Sequence, residues 1–311
     1  MMLDVVYLVF GLALLFAGGE ALVRGAAAIS VRLGVPPMII GLTVVGFGTS
    51  MPELLVSVQA ALKGSSDIAV GNVVGSNIAN ILLILGIAAI IFPITTAISS
   101  VKRDLVVMLA AAALMFVLPM FGILSRLTGS LMVAALIAYL IYAAMTCDRE
   151  EGCEDGPQQG SMPKNLAFVA AGLVALVFGA DFLIDGATSI ASVLGVSEAV
   201  IGLTIVAVGT SLPELAASAI AAFRRHSEIA IGNVIGSNIF NILGILGATA
   251  IIQPVAISPA IAAFDIPVMI GVSLALVLLM VFTRSLNRIV GAAFIATYVL
   301  YCSYLFVQLP A

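Results

Sequence analysis

Long apolar stretches alternate along the chain with short breaks that carry Pro, Gly or charge, as at Pro36-Pro37, Lys63-Gly64 and Lys102-Arg103. A helix needs about 20 mostly apolar residues to cross a bilayer. On that criterion the pattern predicts ten spans. Five lie at 4–29, 37–62, 68–92, 104–121 and 126–146, and five at 164–188, 198–223, 229–252, 264–283 and 288–308. One long polar stretch, residues 147–163 (CDREEGCEDGPQQGSMP), separates the two sets. The expected fold class is an all-α integral membrane protein of ten transmembrane helices, arranged as two five-helix units, 1–146 and 164–311, joined by that linker.

The two units are copies. Residues 41–54 read GLTVVGFGTSMPEL and residues 202–215 read GLTIVAVGTSLPEL, identical at ten of fourteen positions. Residues 71–82 (GNVVGSNIANIL) and 232–243 (GNVIGSNIFNIL) agree at ten of twelve. Both matches share one offset of 161 residues. The same offset sets Glu20 and Arg24 opposite Asp181 and Asp185, and Leu33-Gly34-Val35 opposite Leu194-Gly195-Val196. The most similar segments are 37–92 and 198–252.

An odd number of spans per copy forces the second copy into the membrane upside down. Charge placement agrees with that reading. With the N-terminus outside, ten of the twelve basic residues fall on inside loops and helix ends: Arg24, Arg32, Lys102, Arg103, Arg149, Lys164, Arg224, Arg225, Arg284 and Arg288. Only Lys63 and Arg126 fall outside. This predicts a multi-pass protein of the cell membrane with both termini extracellular and the 147–163 linker cytoplasmic. The first stretch has no basic residue before its apolar run, its first charge being Asp4, and it has a counterpart in the second copy. It is expected to be a span and not a signal peptide.

Composition sharpens the picture. The chain is 62% hydrophobic and 9% charged, against about 25% charged in soluble domains. There is no Trp, so an aromatic belt would fall to residues such as Tyr298, Tyr301 and Tyr304. Three cysteines cannot make a complete disulfide set. Cys302 is expected to pack in an apolar helix, and Cys147 and Cys153 to be reduced thiols. Glu20 and Arg24 are spaced to pair at i,i+4. The acidic linker shows no EF-hand pattern and reads as solvated.

Two acids stand out, Glu53 and Glu214, each followed by apolar residues in a predicted span. An acid at membrane depth is costly and marks function by default, and neither motif contains a Lys or Arg to pair with it. Pro52 and Pro213 precede them. Each lacks an N–H, which frees the carbonyl four residues back, that of Gly48 or Gly209. Irregular backbone is tolerated at this depth where it is buried or lines a cavity. Thr49 and Glu53 share a helix face, as do Thr210 and Glu214; Ser57 and Ser218 extend those faces. In the following helices Asn72, Ser76 and Asn80 recur every fourth residue, as do Asn233, Ser237 and Asn241. Asn72 and Asn233 read as interhelical hydrogen-bonding residues. Ser76, Asn80, Ser237 and Asn241 read as oxygen ligands. Two carboxylates with carbonyls, hydroxyls and amides, and no sulfur or imidazole, suit a hard cation. Ca2+ takes 6–8 oxygens, and softer metals want N or S. The same oxygens suit Na+.

G-T-S-x-P-E followed by G-N-x-x-G-S-N-x-x-N, present twice, resembles the α-repeats of the cation/Ca2+ exchanger superfamily, and the likeness covers essentially the whole chain. The resemblance implies an antiporter of the Na+/Ca2+ type, transporting Ca2+ and Na+ with no cofactor and no catalytic residue. It implies that Glu53 and Glu214 hold Ca2+ together with the carbonyls of Thr49 and Thr210. It implies Na+ sites at Ser50, Ser76, Ser211 and Ser237 with the carbonyls of Gly46 and Ala207, and Asn80 and Asn241 at the centre. Proton-coupled members resemble G-N-x-x-E, where this chain has Gly75 and Gly236. Potassium-dependent members carry Asp at the position of Asn241. Competing readings are an H+/Ca2+ antiporter, a passive cation channel and an intramembrane enzyme. For the last, no H-E-x-x-H or G-x-S-x-G motif is present. Its partners are expected to be inorganic cations and the bilayer, with no nucleic acid, and a monomer is expected to suffice.

Overall fold

A computed structural model describes residues 2–95, 98–146, 161–193, 207–283 and 285–308. Most of the linker, the expected span 198–223 up to residue 206, and Cys147 and Cys153 lie outside them. In chain order the helices are α1 (Met2–Leu33), α2 (Pro37–Thr49), α3 (Met51–Leu62), α4 (Ser66–Ile91), α5 (Ile98–Val117), α6 (Arg126–Met145), α7 (Met162–Val193), α8 (Leu212–Phe223), α9 (Ser227–Ile252), α10 (Ile261–Thr283) and α11 (Arg288–Gln308). A short helical turn, Ala207–Gly209, precedes α8. Among the described residues eight helices are long and apolar enough to cross a membrane, and α2 with α3 makes a ninth span bent by 42°. The chain is therefore an all-helical membrane protein. Its only strands are four of two residues each among the described residues.

Boundaries follow local chemistry. The first span was expected to end at 29, but α1 continues to Leu33, because Ser30-Val31-Arg32 supports helix and Gly34, at φ +63°, is the first residue to leave it. The expected span 37–62, with its ladder interrupted by Pro52, is broken at Ser50 (φ −82°, ψ 7°). Pro52 withholds the N–H that would carry the ladder across. Ser211 stops the chain at nearly the same angles (φ −89°, ψ 7°), ahead of Pro213.

α1 and α7 pack antiparallel along a seam of small residues. Gly11 lies on Gly179 and Leu183, Gly18 on Gly172 and Leu176, and Gly25 on Asn165 and Val169. A Cβ on Gly18 would stand 2.9 Å from the Gly172 carbonyl oxygen. The seven-residue spacing keeps the glycines on one face of each helix. This pair carries its own hydrophobic cluster with α8, including Leu22, Leu176 and Ala221. A larger cluster surrounds α4 and α9, including Ile78, Ile84, Ile239 and Ile245.

The two copies also exchange short strands. Ile94-Thr95 pairs antiparallel with Ser285-Leu286, and Ile123-Leu124 with Val255-Ala256. Between the fourth and fifth helices the repeat offset grows to 162, which sets Tyr139 opposite Tyr301. Both phenols turn inward: Tyr139 Oη donates to Asp104 Oδ1 at 2.8 Å and Tyr301 Oη to Asp265 Oδ1 at 2.8 Å. Tyr301, half-buried, thus anchors α11 to the start of α10. Glu20 pairs with Arg224 across the copies, and not with Arg24. Arg24 instead lies over the Phe168 ring.

Candidate functional site

The break at Ser50 places Glu53 in the first turn of α3, and the break at Ser211 places Glu214 in the first turn of α8. Both acids are 1% exposed. Each sits at a helix N-terminus, where unpaired N–H groups and the helix dipole favour negative charge. The carbonyls at the C-terminal end of α2 face the same break and favour a cation.

The acids are held by the opposite copy. Ser50 Oγ donates to Glu214 Oε1 at 3.0 Å, and Ser211 Oγ donates to Glu53 Oε1 at 3.2 Å. Each carboxylate thus spends one oxygen on a serine from the other half. Its second oxygen, Oε2, is buried without a hydrogen-bond partner in both residues. Neither acid forms an ion pair with a Lys or Arg among the described residues. Two buried carboxylate oxygens left bare are costly unless a cation or protons satisfy them.

α4 and α9 brace the broken helices. Asn72 Nδ2 donates to the Glu53 carbonyl at 3.1 Å and to Ser57 Oγ at 2.9 Å. Asn233 Nδ2 donates to the Glu214 carbonyl at 3.4 Å and to Ser218 Oγ at 2.8 Å. These two asparagines bond between helices, as their positions suggested. Thr49 Oγ1 donates to the Val45 carbonyl at 3.0 Å and lies 3.4 Å from Asn233 Oδ1. Ser237 Oγ donates to the Gly46 carbonyl at 3.4 Å. Thr210 and Ser76 are buried, and Ala207 begins the turn before α8. Ser50, Glu53, Ser211 and Glu214, with Gly46, Thr49, Asn233 and Ser237, therefore converge where the copies cross.

Asn80 and Asn241, both buried, differ in their partners. Asn80 Nδ2 donates to Asn238 Oδ1 at 3.0 Å. Neither the oxygen nor the nitrogen of the Asn241 amide has a hydrogen-bond partner, though the residue is buried. Both lie where α4 and α9 loosen into π-helix, at Asn80–Ile84 and Phe240–Leu246, and such bulges are frequent at functional sites. Asn77 and Asn238, not among the expected ligands, lie off the every-fourth-residue row. Their signal was available: both stand in G-S-N in each copy. Asn238 also donates to the Asn77 carbonyl at 3.4 Å, tying α9 to α4. Among the described residues no three His, Cys, Asp or Glu gather as a metal cluster. The site is two carboxylates in a frame of neutral oxygens.

Residues 3–145 and 164–307 match the family model described as sodium/calcium exchanger protein. The chain is 34% identical over 340 residues to the sodium/calcium exchanger MaX1 of Methanosarcina acetivorans, covering 96% of this chain and 97% of that one. It is 38% identical over 290 residues to the inner membrane protein YrbG of Escherichia coli, covering 90% and 89%. Among solved structures it resembles the sodium-calcium exchanger NCX_Mj soaked with Na+ and Sr2+, with a TM-score of 0.86 and 33% identity over 97% of this chain and 98% of that one.

Proposed function

Because the chain belongs to the sodium/calcium exchanger family, we propose that it is a secondary antiporter exchanging Na+ for Ca2+ by alternating access. One observation carries the reading: Glu53 and Glu214 are clamped crosswise by Ser211 and Ser50, and each keeps one buried oxygen bare. Two carboxylates balance the charge of one Ca2+. Thr49 and Thr210 add oxygens to that ion. Ser50, Ser76, Ser211 and Ser237, with the carbonyls of Gly46 and Ala207, hold Na+ in its place, and Asn80 and Asn241 complete the centre. Occupancy by Ca2+ excludes Na+, and that exclusion couples the two fluxes.

The topology supporting this has ten spans in two inverted units, 1–146 and 164–311, with the termini outside and the 147–163 linker in the cytoplasm. Transporters built from inverted repeats carry their ion sites near the bilayer midplane, at broken helices. α2, α3 and α8 have that form.

Exchange is electrogenic in this reading. Expelling Ca2+ against about 100 mV, inside negative, costs about 4.6 kcal/mol, since each charge costs about 2.3 kcal/mol. Two entering Na+ cancel that electrical work and leave their chemical gradients as the drive, and a third adds both chemical and electrical drive. The experiment is Ca2+ flux into proteoliposomes with an imposed Na+, H+ or no gradient, at clamped voltage. Na+-driven, voltage-sensitive flux is the expected result. Flux driven by H+ alone would assign the H+/Ca2+ mechanism, and gradient-independent leak would assign a channel.

A further inference from the structure

Arg224 Nε and Nη2 donate to Glu20 Oε2 and Oε1 at 2.7 and 2.5 Å. This forked pair ties α1 to the residue that ends α8. It is backed by close packing, with Gly19 of α1 set against Ile220 and Ala216 of α8. Burial and the neighbouring Arg224 hold His226 below its ordinary pKa, so it is neutral at neutral pH and leaves the pair undisturbed.

The repeat encodes this pair a second time. At the shared offset Glu20 becomes Asp181 in α7, and Arg224 becomes Lys63, the residue that ends α3. Acid stays on the long helix and base stays on the broken one. Because α1 and α7 run antiparallel, Asp181 lies level with the Gly11 end of α1, about 16 Å from Glu20 along the axis at about 1.5 Å per residue. In the structure the second pair is apart. Asp181 and Lys63 form no ion pair with each other, Asp181 is exposed, and α7 does not pack on α3 as α1 packs on α8. Two homologous halves have the same conformations open to them, so an arrangement seen at one end is accessible at the other.

We propose that Glu20–Arg224 and Asp181–Lys63 are alternating latches, and that these four are positioning residues for the switch between the two access states. The Glu20–Arg224 latch holds α1 against α8 in the state described here. When it opens, the α1–α7 pair shifts and Asp181 closes on Lys63. This rests on the alternating-access reading above but not on which ion drives it. Both pairs lie at the protein surface and not in its core, with Glu20 and Arg224 side chains 30% and 51% exposed. Each therefore biases the equilibrium by about twofold to fivefold and no more, which suits a step that must reverse every cycle.

The test uses the full chain in proteoliposomes, with Cys147, Cys153 and Cys302 replaced by Ala. Spin labels on Ala17→Cys with Phe223→Cys report the Arg224 end. Labels on Phe178→Cys with Leu62→Cys, the repeat equivalents, report the Lys63 end. Glu20→Gln should widen the Arg224 end and narrow the Lys63 end, shifting populations about twofold to fivefold. Lys63→Gln should do the reverse, and Glu20→Arg with Arg224→Glu should restore the parent distribution. A merely structural pair would loosen one end without closing the other. Variants that move both ends together, or distances that ignore all four charges, overturn the proposal. The distances need no transport, so they separate its failure from failure of Na+/Ca2+ exchange, which the flux experiment reads by itself.

Discussion

α4 and α9 have 72% and 78% of their most apolar windows buried inside the protein, whereas α1 and α7 have 28% each. The first pair is fixed by specific bonds: Asn72 and Asn233 to the broken helices, Asn80 and Asn238 to each other. The second pair meets along glycines. A buried amide that loses its partner costs about 1–3 kcal/mol, so the α4–α9 core has one arrangement. The glycine seam brings the backbones of α1 and α7 close along their length, so the two hold together as one pair. The two buried acids stand on the broken helices that the fixed region braces, and the glycine-seamed pair packs beside them.

The largest expected effect breaks the fixed region at its chemistry. Glu53→Gln or Glu214→Gln keeps shape and removes one of two charges. Each should abolish Ca2+ uptake, by at least about 100-fold, since losing one charge–charge contact in a dry site is worth several kcal/mol. Size-exclusion behaviour and helical content should stay normal. Near-normal uptake by either purified variant would make the acid structural.

A crosslink between α1 and the end of α8 separates the regions next. Glu20→Cys with Arg224→Cys, joined by a cleavable bis-thiol reagent long enough to span the two side chains, should stop exchange while equilibrium Ca2+ binding persists, and cleavage should restore flux. Full flux in a verified crosslinked protein would deny that α1 moves relative to the core.

A smaller effect sharpens the contrast within the core. Asn72→Ala or Asn233→Ala leaves a serine hydroxyl and a carbonyl without their donor and should cost about 1–3 kcal/mol of stability, read as a fall in thermal midpoint in detergent. Ala17→Ser, an exposed position on α1, should change the midpoint little, since surface substitutions lie within about 0.5 kcal/mol. Equal losses would mean that the two regions are equally ordered.

The smallest effect is a predicted null. With Asn at 80 and 241 the centre holds two formal charges, and K+ has no carboxylate to accompany. Replacing K+ by choline should leave Na+-driven Ca2+ flux unchanged. Asn241→Asp should make that flux pH-dependent, because a new acid must titrate beside two others. Loss of wild-type flux in choline would show potassium dependence.

The sequence by itself determined the duplication, the apolar spans, the serine–proline–glutamate breaks and the inventory of hard oxygens. These are local properties: hydropathy sets the spans, Pro52 and Pro213 interrupt the ladder, and repetition is visible as identity. It also carried the acid–base spacing of Glu20, Arg224, Asp181 and Lys63, though not the pairing. Glu20 has Arg24 one turn away and still bonds Arg224, and Asn80 bonds Asn238 of the other copy. Tyr301 bonds Asp265 of the preceding helix, and the π-helix at Asn80 and Phe240 was not legible at all. Only the tertiary structure decided the pairings, because each depends on which residue of another helix is brought within about 3 Å, and a hydrogen bond or ion pair is lost a few ångströms beyond that.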